Sequence, residues 1–186
     1  MTQTAATALA ASREKFTHVV QGEFMASADP GAAYTTILGS CVAACLHDPV
    51  ARVGGMNHFL LPGDDNTQGG NLRYGVHAME LLINALLGMG ARRERLTVKL
   101  FGGAHVVNNL VDIGARNAAF ARRFVEEENV LCLGASLGGE RARRIQFWPA
   151  SGRARQIMLG VADTKPILVH QRIETPADGA GSLELF

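Results

Sequence analysis

Residues 34–62 read Tyr-Thr-Thr-Ile-Leu-Gly-Ser-Cys-Val-Ala-Ala-Cys-Leu-His-Asp-Pro-Val-Ala-Arg-Val-Gly-Gly-Met-Asn-His-Phe-Leu-Leu-Pro. Thr35 to Leu38 is β-prone, and Gly39-Ser40 interrupts it. Val42 to Leu46 is apolar again. It reads either as a buried strand or as a helical turn starting at Cys41, and periodicity does not separate such short runs. His47-Asp48-Pro49 ends that run, because proline disfavours helix before it and cannot donate to a ladder. Arg52 to Leu61 resumes as a strand and stops at Pro62-Gly63-Asp64-Asp65-Asn66. Strand, short polar turn, strand is the pattern that brings Cys41 and His58 side by side.

Outward from this stretch, Val19 to Met25 is an apolar run with partial alternation and predicts an early strand, with a turn at Asp29-Pro30-Gly31. On the other side, the Gly-, Asn- and Asp-bearing segment up to Arg73 predicts a surface loop near His58. Val76, Met79, Leu82, Ile83, Leu86 and Leu87 recur at helical spacing and predict a helix over Tyr74 to Met89. Leu96 to Phe101 alternates as a strand, and Gly102-Gly103 turns the chain. Asp112-Ile113-Gly114 precedes a second helix, about Ala115 to Glu128, with Ala118, Ala119, Phe120, Phe124 and Val125 as its apolar set. Leu131-Cys132-Leu133 is a short strand. Ala142 to Phe147 and Ala154 to Val161 form a hairpin around Ser151-Gly152, and Ile167 to His170 is a further apolar run. The expected fold class is α/β, a single domain with two main helices packed on a mixed, twisted sheet. Residues 1–16 are expected to be a flexible N-terminal tail, 17–172 the domain, and 173–186 a C-terminal tail.

Composition sets the limits on function. The chain has 186 residues, 47% hydrophobic and 19% charged, which suits one domain with a sizeable core. Its 18 basic and 17 acidic residues leave a formal net charge of +1, so no global field draws in nucleic acid or anionic membrane. Three cysteines, Cys41, Cys45 and Cys132, do not make a disulfide framework and suit a reducing compartment. The N-terminus lacks the basic start and apolar block of a signal peptide, and no run reaches the roughly 20 apolar residues of a membrane helix. The expected location is the cytoplasm, without membrane insertion.

A cysteine after a glycine bend has two readings. As a small hydrophobe it is simply buried. As a nucleophile it uses the bend, because N–H groups around Gly39 and Ser40 can converge as an oxyanion hole. His58, among Met56, Phe59 and Leu60, is either a core histidine or the base that takes the thiol proton. Thr35 and Thr36 lie just upstream and can offer a hydroxyl or a carbonyl to orient the ring. A metal reading groups Cys41, Cys45, His47 and His58, but Cys-x3-Cys-x-His is not a common structural-zinc spacing, so no metal is expected. Cys45 and Cys132 are otherwise read as core. Gly102-Gly103-Ala104 and Gly138-Gly139 lack the lysine of a phosphate loop, so no nucleotide cofactor is expected. The arginine clusters at 92–95 and 141–144 read as solvated faces, or as docking sites for an acidic protein surface.

The blocks Thr-Thr-Ile-Leu-Gly-Ser-Cys at 35–41 and Val-Gly-Gly-Met-Asn-His-Phe at 53–59 closely resemble the CheD family of chemoreceptor glutamine deamidases. So do Lys-Leu-Phe-Gly-Gly-Ala at 99–104, Asp-Ile-Gly-Ala-Arg-Asn at 112–117 and Leu-Gly-Gly-Glu-Arg-Ala-Arg-Arg at 137–144; the likeness runs from about Gln21 to Val161. The resemblance implies a three-layered α/β sandwich and a papain-like mechanism without cofactor or metal. It puts the nucleophile on Cys41, the base on His58 and a third catalytic residue on Thr35, with Gly39 and Ser40 as backbone support for the oxyanion. The implied substrates are glutamine side chains in the cytoplasmic helices of methyl-accepting chemotaxis receptors, converted to glutamate with release of ammonia. Some members also bind a CheC-type phosphatase. Two other classes fit the same dyad: a non-catalytic module that docks on receptor or phosphatase, and a thiol protease or transglutaminase-like enzyme.

Overall fold

The computed structural model describes residues 15–61, 68–106 and 112–160, with side chains from Arg73 onward in the second stretch. Expectations for residues 1–14, 62–67 and 161–186, the Ile167 to His170 run included, lie outside the described residues. Among the described residues, nine strands and two α-helices follow in order: β1 Thr17–His18, β2 Phe24–Ser27, β3 Tyr34–Leu38, β4 Val42–Asp48, β5 Val53–Asn57, α1 Gln68–Gly88, β6 Thr97–Gly102, α2 Ile113–Glu127, β7 Leu131–Leu137, β8 Arg143–Trp148 and β9 Arg153–Met158.

The strands divide between two sheets, in keeping with the three-layered α/β sandwich that the resemblance implied, where the reading run by run had a single mixed sheet. One runs β1-β3-β8-β9 and the other β2-β5-β4-β6-β7. Both are mixed, since β1–β3 and β6–β7 are parallel and the remaining pairs antiparallel. Val19, Tyr34, Leu38, Ile145 and Phe147 meet Cys41, Ala43, Cys45 and Met56 in one core, between the sheets. Val42, Ala44, Leu46, Val98 and Leu100 meet Met79, Leu82, Ile83, Leu86, Phe120 and Phe124 in the other, between the five-stranded sheet and the helices. The result is three layers: sheet, sheet, helices.

This layering resolves the ambiguous run at 42–46. The strand β4 lies in the middle layer, so both of its faces are covered. Every residue from Val42 to Leu46 is buried, and the usual polar alternation disappears. In α1, Met79, Leu82, Ile83 and Leu86 are at most 1% exposed and form the expected stripe, whereas Val76 is 40% exposed. The helix begins at Gln68, inside the expected loop. The Asp112 carboxylate accepts from Ala115 N and caps α2. The early strand is broken into β1 and β2 by a turn at Gln21-Gly22, where Gly22 has φ +88°.

Two further expectations change. Cys132 is exposed on β7 rather than in the core, because β7 is the outermost strand of its sheet. The arginine clusters are partly structural. Arg95 pairs with buried Asp48 at 2.7 Å and Arg93 with Glu128 at 2.5 Å. Arg143 is 2% exposed and donates to the carbonyls of Ser136 and Gly138.

Candidate active site

The chain passes from one sheet to the other through Gly39-Ser40-Cys41, between β3 and β4. All three carbonyls of this bend are tied down. Ala104 N donates to Gly39 O at 2.8 Å, the Asn117 side-chain amide to Ser40 O at 2.9 Å, and Gly103 N to Cys41 O at 2.7 Å. A trans peptide points its C=O and the following N–H in opposite directions. Pinning the Gly39 and Ser40 carbonyls therefore fixes where the N–H groups of Ser40 and Cys41 point. Gly102 makes the close approach possible: it has φ +115°, and a Cβ there would collide with the Cys41 carbonyl oxygen. These glycines carry no phosphate-loop signal; their place is under the cysteine.

The Val42 and Phe59 backbones exchange hydrogen bonds of 3.0 and 2.9 Å as an isolated antiparallel bridge. That register puts Cys41 opposite Leu60 and His58 opposite Ala43. Cys41 and His58 thus share one sheet face as diagonal neighbours, within reach of long side chains. They are 1% and 7% exposed.

Thr36, not Thr35, meets the histidine. Thr36 Oγ1 lies 2.9 Å from His58 Nδ1 and donates to Val19 O at 2.9 Å. Thr35 turns the other way and donates to Ile145 O at 2.8 Å. The pleat explains the difference: successive side chains alternate faces, and Thr36 shares the inner face with Tyr34 and Leu38. The hydroxyl beside the ring is thus that of Thr36, one residue on from Thr35.

The proton inventory then sets the tautomer. A hydroxyl has one hydrogen, and Thr36 spends it on Val19 O, which can only accept. His58 Nδ1 must therefore carry the hydrogen that goes to Thr36, with Val19 O also 3.4 Å away. Nε2 is left as the lone-pair nitrogen. It is buried and has no hydrogen-bond partner among the described residues. Burial, reinforced by the nearby His18 charge and opposed by the Val19 carbonyl, brings the His58 pKa down to about 4. The ring is neutral at pH 7.

Other candidates fall elsewhere. Burial pushes the Cys45 thiol pKa up, with Lys99 opposing, so Cys45 stays a protonated core residue. The His47 ring sits against Gly152, with Nε2 3.4 Å from Ala150 O. No three metal-ligating side chains converge among the described residues. Two residues that the sequence did not single out belong to the site. Asn117 is fully buried, donates to Ser40 O and accepts from Leu61 N at 2.8 Å; its signal was a polar residue on the apolar face of α2. Gln21 accepts a hydrogen bond from the Cys41 thiol at 3.2 Å, and a turn residue carries no such signal.

Comparison with known proteins adds to this geometry. Residues 60–156 match the family model described as CheD chemotactic sensory transduction. A protein from Cereibacter sphaeroides named "Probable chemoreceptor glutamine deamidase CheD" is 57% identical over 84% of this chain and 78% of its own length. Proteins of the same name from Agrobacterium fabrum and Caulobacter are 51% identical over 92% of this chain and 97% of theirs, and 53% identical over 91% and 92%. A solved structure from Neisseria meningitidis, of the family DUF152, gives a TM-score of 0.47 at 10% identity, covering 72% of this chain and 74% of that one, too slight a likeness to bear on function.

Proposed function

The chain belongs to the CheD family, and from that premise we propose how it works: as a chemoreceptor glutamine deamidase whose nucleophile is Cys41 and whose base is His58. The observation that carries the proposal is the relay from Val19 O through Thr36 to His58 Nδ1, which leaves Nε2 bare on the sheet face of the thiol. A neutral ring implies a neutral resting pair, thiol and imidazole, rather than a preformed ion pair.

In this mechanism His58 Nε2 takes the Cys41 proton as sulfur adds to the side-chain carbonyl carbon of a receptor glutamine. N–H groups of the Gly39-Ser40-Cys41 bend receive the oxyanion; holding the bend's carbonyls on the other side preorganises them. Protonated His58 gives its proton to departing ammonia. Neutral His58 then activates water, which hydrolyses the thioester to glutamate. Thr36 fixes the tautomer throughout. The substrate changes from neutral to anionic, which alters the receptor's electrostatics and makes the new carboxylate available for methylation. The proposed setting is the cytoplasm, where the receptor helices lie; no helix among the described residues is long and apolar enough to cross a membrane. A CheC-type phosphatase stays within the proposal as a second partner on the resemblance alone.

The test is ammonia release and mass spectrometry on a receptor cytoplasmic fragment. Replacing NH2 by OH adds about 1 Da at a glutamine, and Cys41→Ala or His58→Ala should abolish that gain. A fully active Cys41→Ala protein would overturn the assignment. Cleavage of the fragment would identify a protease instead, and binding without any mass change would identify a docking module.

A further inference from the structure

Gln21 touches the nucleophile, and the reaction proposed above does not use it. The residue sits in the turn between β1 and β2 and is solvent-exposed. The turn is tied to the histidine itself, just past the end of β5: Gly22 N donates to His58 O at 2.7 Å and His58 N to Glu23 O at 3.0 Å, while Glu23 N closes the turn on Val20 O at 3.1 Å. From this platform the Gln21 carboxamide oxygen reaches 3.2 Å from Cys41 Sγ. A C=O bond is about 1.2 Å long, so the carboxamide carbon lies no more than about 4.4 Å from sulfur. Attack distances are about 3–3.5 Å, and a side-chain rotation of about 1 Å closes the gap. A side-chain primary carboxamide against the cysteine of a glutamine deamidase is chemically a substrate.

We propose that Gln21 is a self-modification site, deamidated in cis by Cys41; this rests on the deamidase reading above. The Cys41 sulfur bonds to Cδ of Gln21 while its proton passes to His58 Nε2. The tetrahedral adduct collapses with cleavage of the Cδ–N bond, and His58 returns the proton to the departing ammonia. Water then adds to the thioester and breaks the C–S bond, giving glutamate at position 21 and restoring the thiol. The balance is one carboxamide and one water in, one carboxylate and one ammonia out. The product places a carboxylate beside the thiol and imidazole, at the spot where an incoming glutamine side chain must settle.

The experiment follows the mass of the peptide containing Gln21 in the full chain, alongside deamidation of a receptor fragment in the same tube. Wild-type protein, as purified or after incubation, should gain about 1 Da at Gln21, or about 3 Da in water labelled with the heavy oxygen isotope of mass 18. The gain should be absent from both Cys41→Ala and Cys41→Ser, and its rate should not change on dilution. An unmodified Gln21 in a sample that deamidates the receptor overturns the inference and leaves the deamidase reading intact. An equal gain in the Cys41 variants shows spontaneous chemistry and also overturns it, as does a rate that scales with protein concentration. Loss of both signals removes the deamidase reading and this inference with it.

Discussion

At the scale of single residues, Thr35 and Thr36 carry the same chemistry and are separated only by the pleat. Thr36 faces the space between the sheets, where His58 lies, and Thr35 faces the β8 backbone. Thr36→Val removes the hydroxyl that receives the Nδ1 hydrogen, leaving only the Val19 carbonyl at 3.4 Å to hold the tautomer. Deamidation should fall by about 100-fold, in line with loss of a group that orients a catalytic base. Thr35→Val gives up a hydrogen bond to Ile145 O and should change the rate less than about threefold. Ammonia release from the two variants decides the matter, and the reverse order would return the role to Thr35. For Cys41 and His58 the catalytic reading was legible beside a core reading, from a cysteine after a glycine bend and a histidine in the next apolar run, and the resemblance to the CheD family is what put nucleophile and base on them. The third residue was not legible, since which of two adjacent threonines faces the ring depends on how a second sheet lies over the first.

At the scale of elements, α2 does more than cover the sheet. One buried side chain, Asn117, joins Ser40 of the Gly39-Ser40-Cys41 bend to Leu61 beyond the histidine. It therefore sets the distance between the segments that carry Cys41 and His58. Asn117→Ala strands the Ser40 carbonyl and the Leu61 N–H, at a cost of about 2–4 kcal/mol of stability. It should also lower kcat by about 10- to 100-fold below the unfolding temperature, because small misplacements at a nucleophile are expensive. Thermal unfolding and kcat measured on the same preparation check this; a destabilised variant with wild-type kcat would limit Asn117 to packing. The helices were legible from periodicity, and the hairpin of β8 and β9 from its turn. The division into two sheets was not, because strand pairing is non-local: β3 pairs with β8, more than a hundred residues along the chain. The same crossing of sheets turns the uninformative run at 42–46 into a strand with two covered faces.

At the scale of the whole molecule, placing an uncharged imidazole between two sheets couples the site to stability. The His58 pKa is about 4 in the folded chain against an ordinary value of 6.5. Above pH 6.5 the ring is neutral in both folded and unfolded chains, and the contribution to stability is full. As pH falls from 6.5 towards 4, the unfolded chain takes up a proton that the folded one refuses, and stability drops by about 3 kcal/mol before levelling off. His47, whose pKa burial also lowers, adds loss of the same sign. Asp48 acts in a lower window. Burial opposes its ionisation, but Arg95 and the N–H groups of Ala51, Arg92 and Val50 outweigh that and hold its carboxyl below the usual range. Its contribution is present above about pH 4 and is lost as pH falls further, so it does not blur the His58 window. Denaturant unfolding at pH 7 and pH 4.5 should show the wild-type chain losing most of that 3 kcal/mol, and His58→Gln, which has no proton to gain, losing about 2 kcal/mol less. Equal losses in the two proteins would mean that His58 is not held neutral, and the resting pair would have to be redrawn with a charged ring.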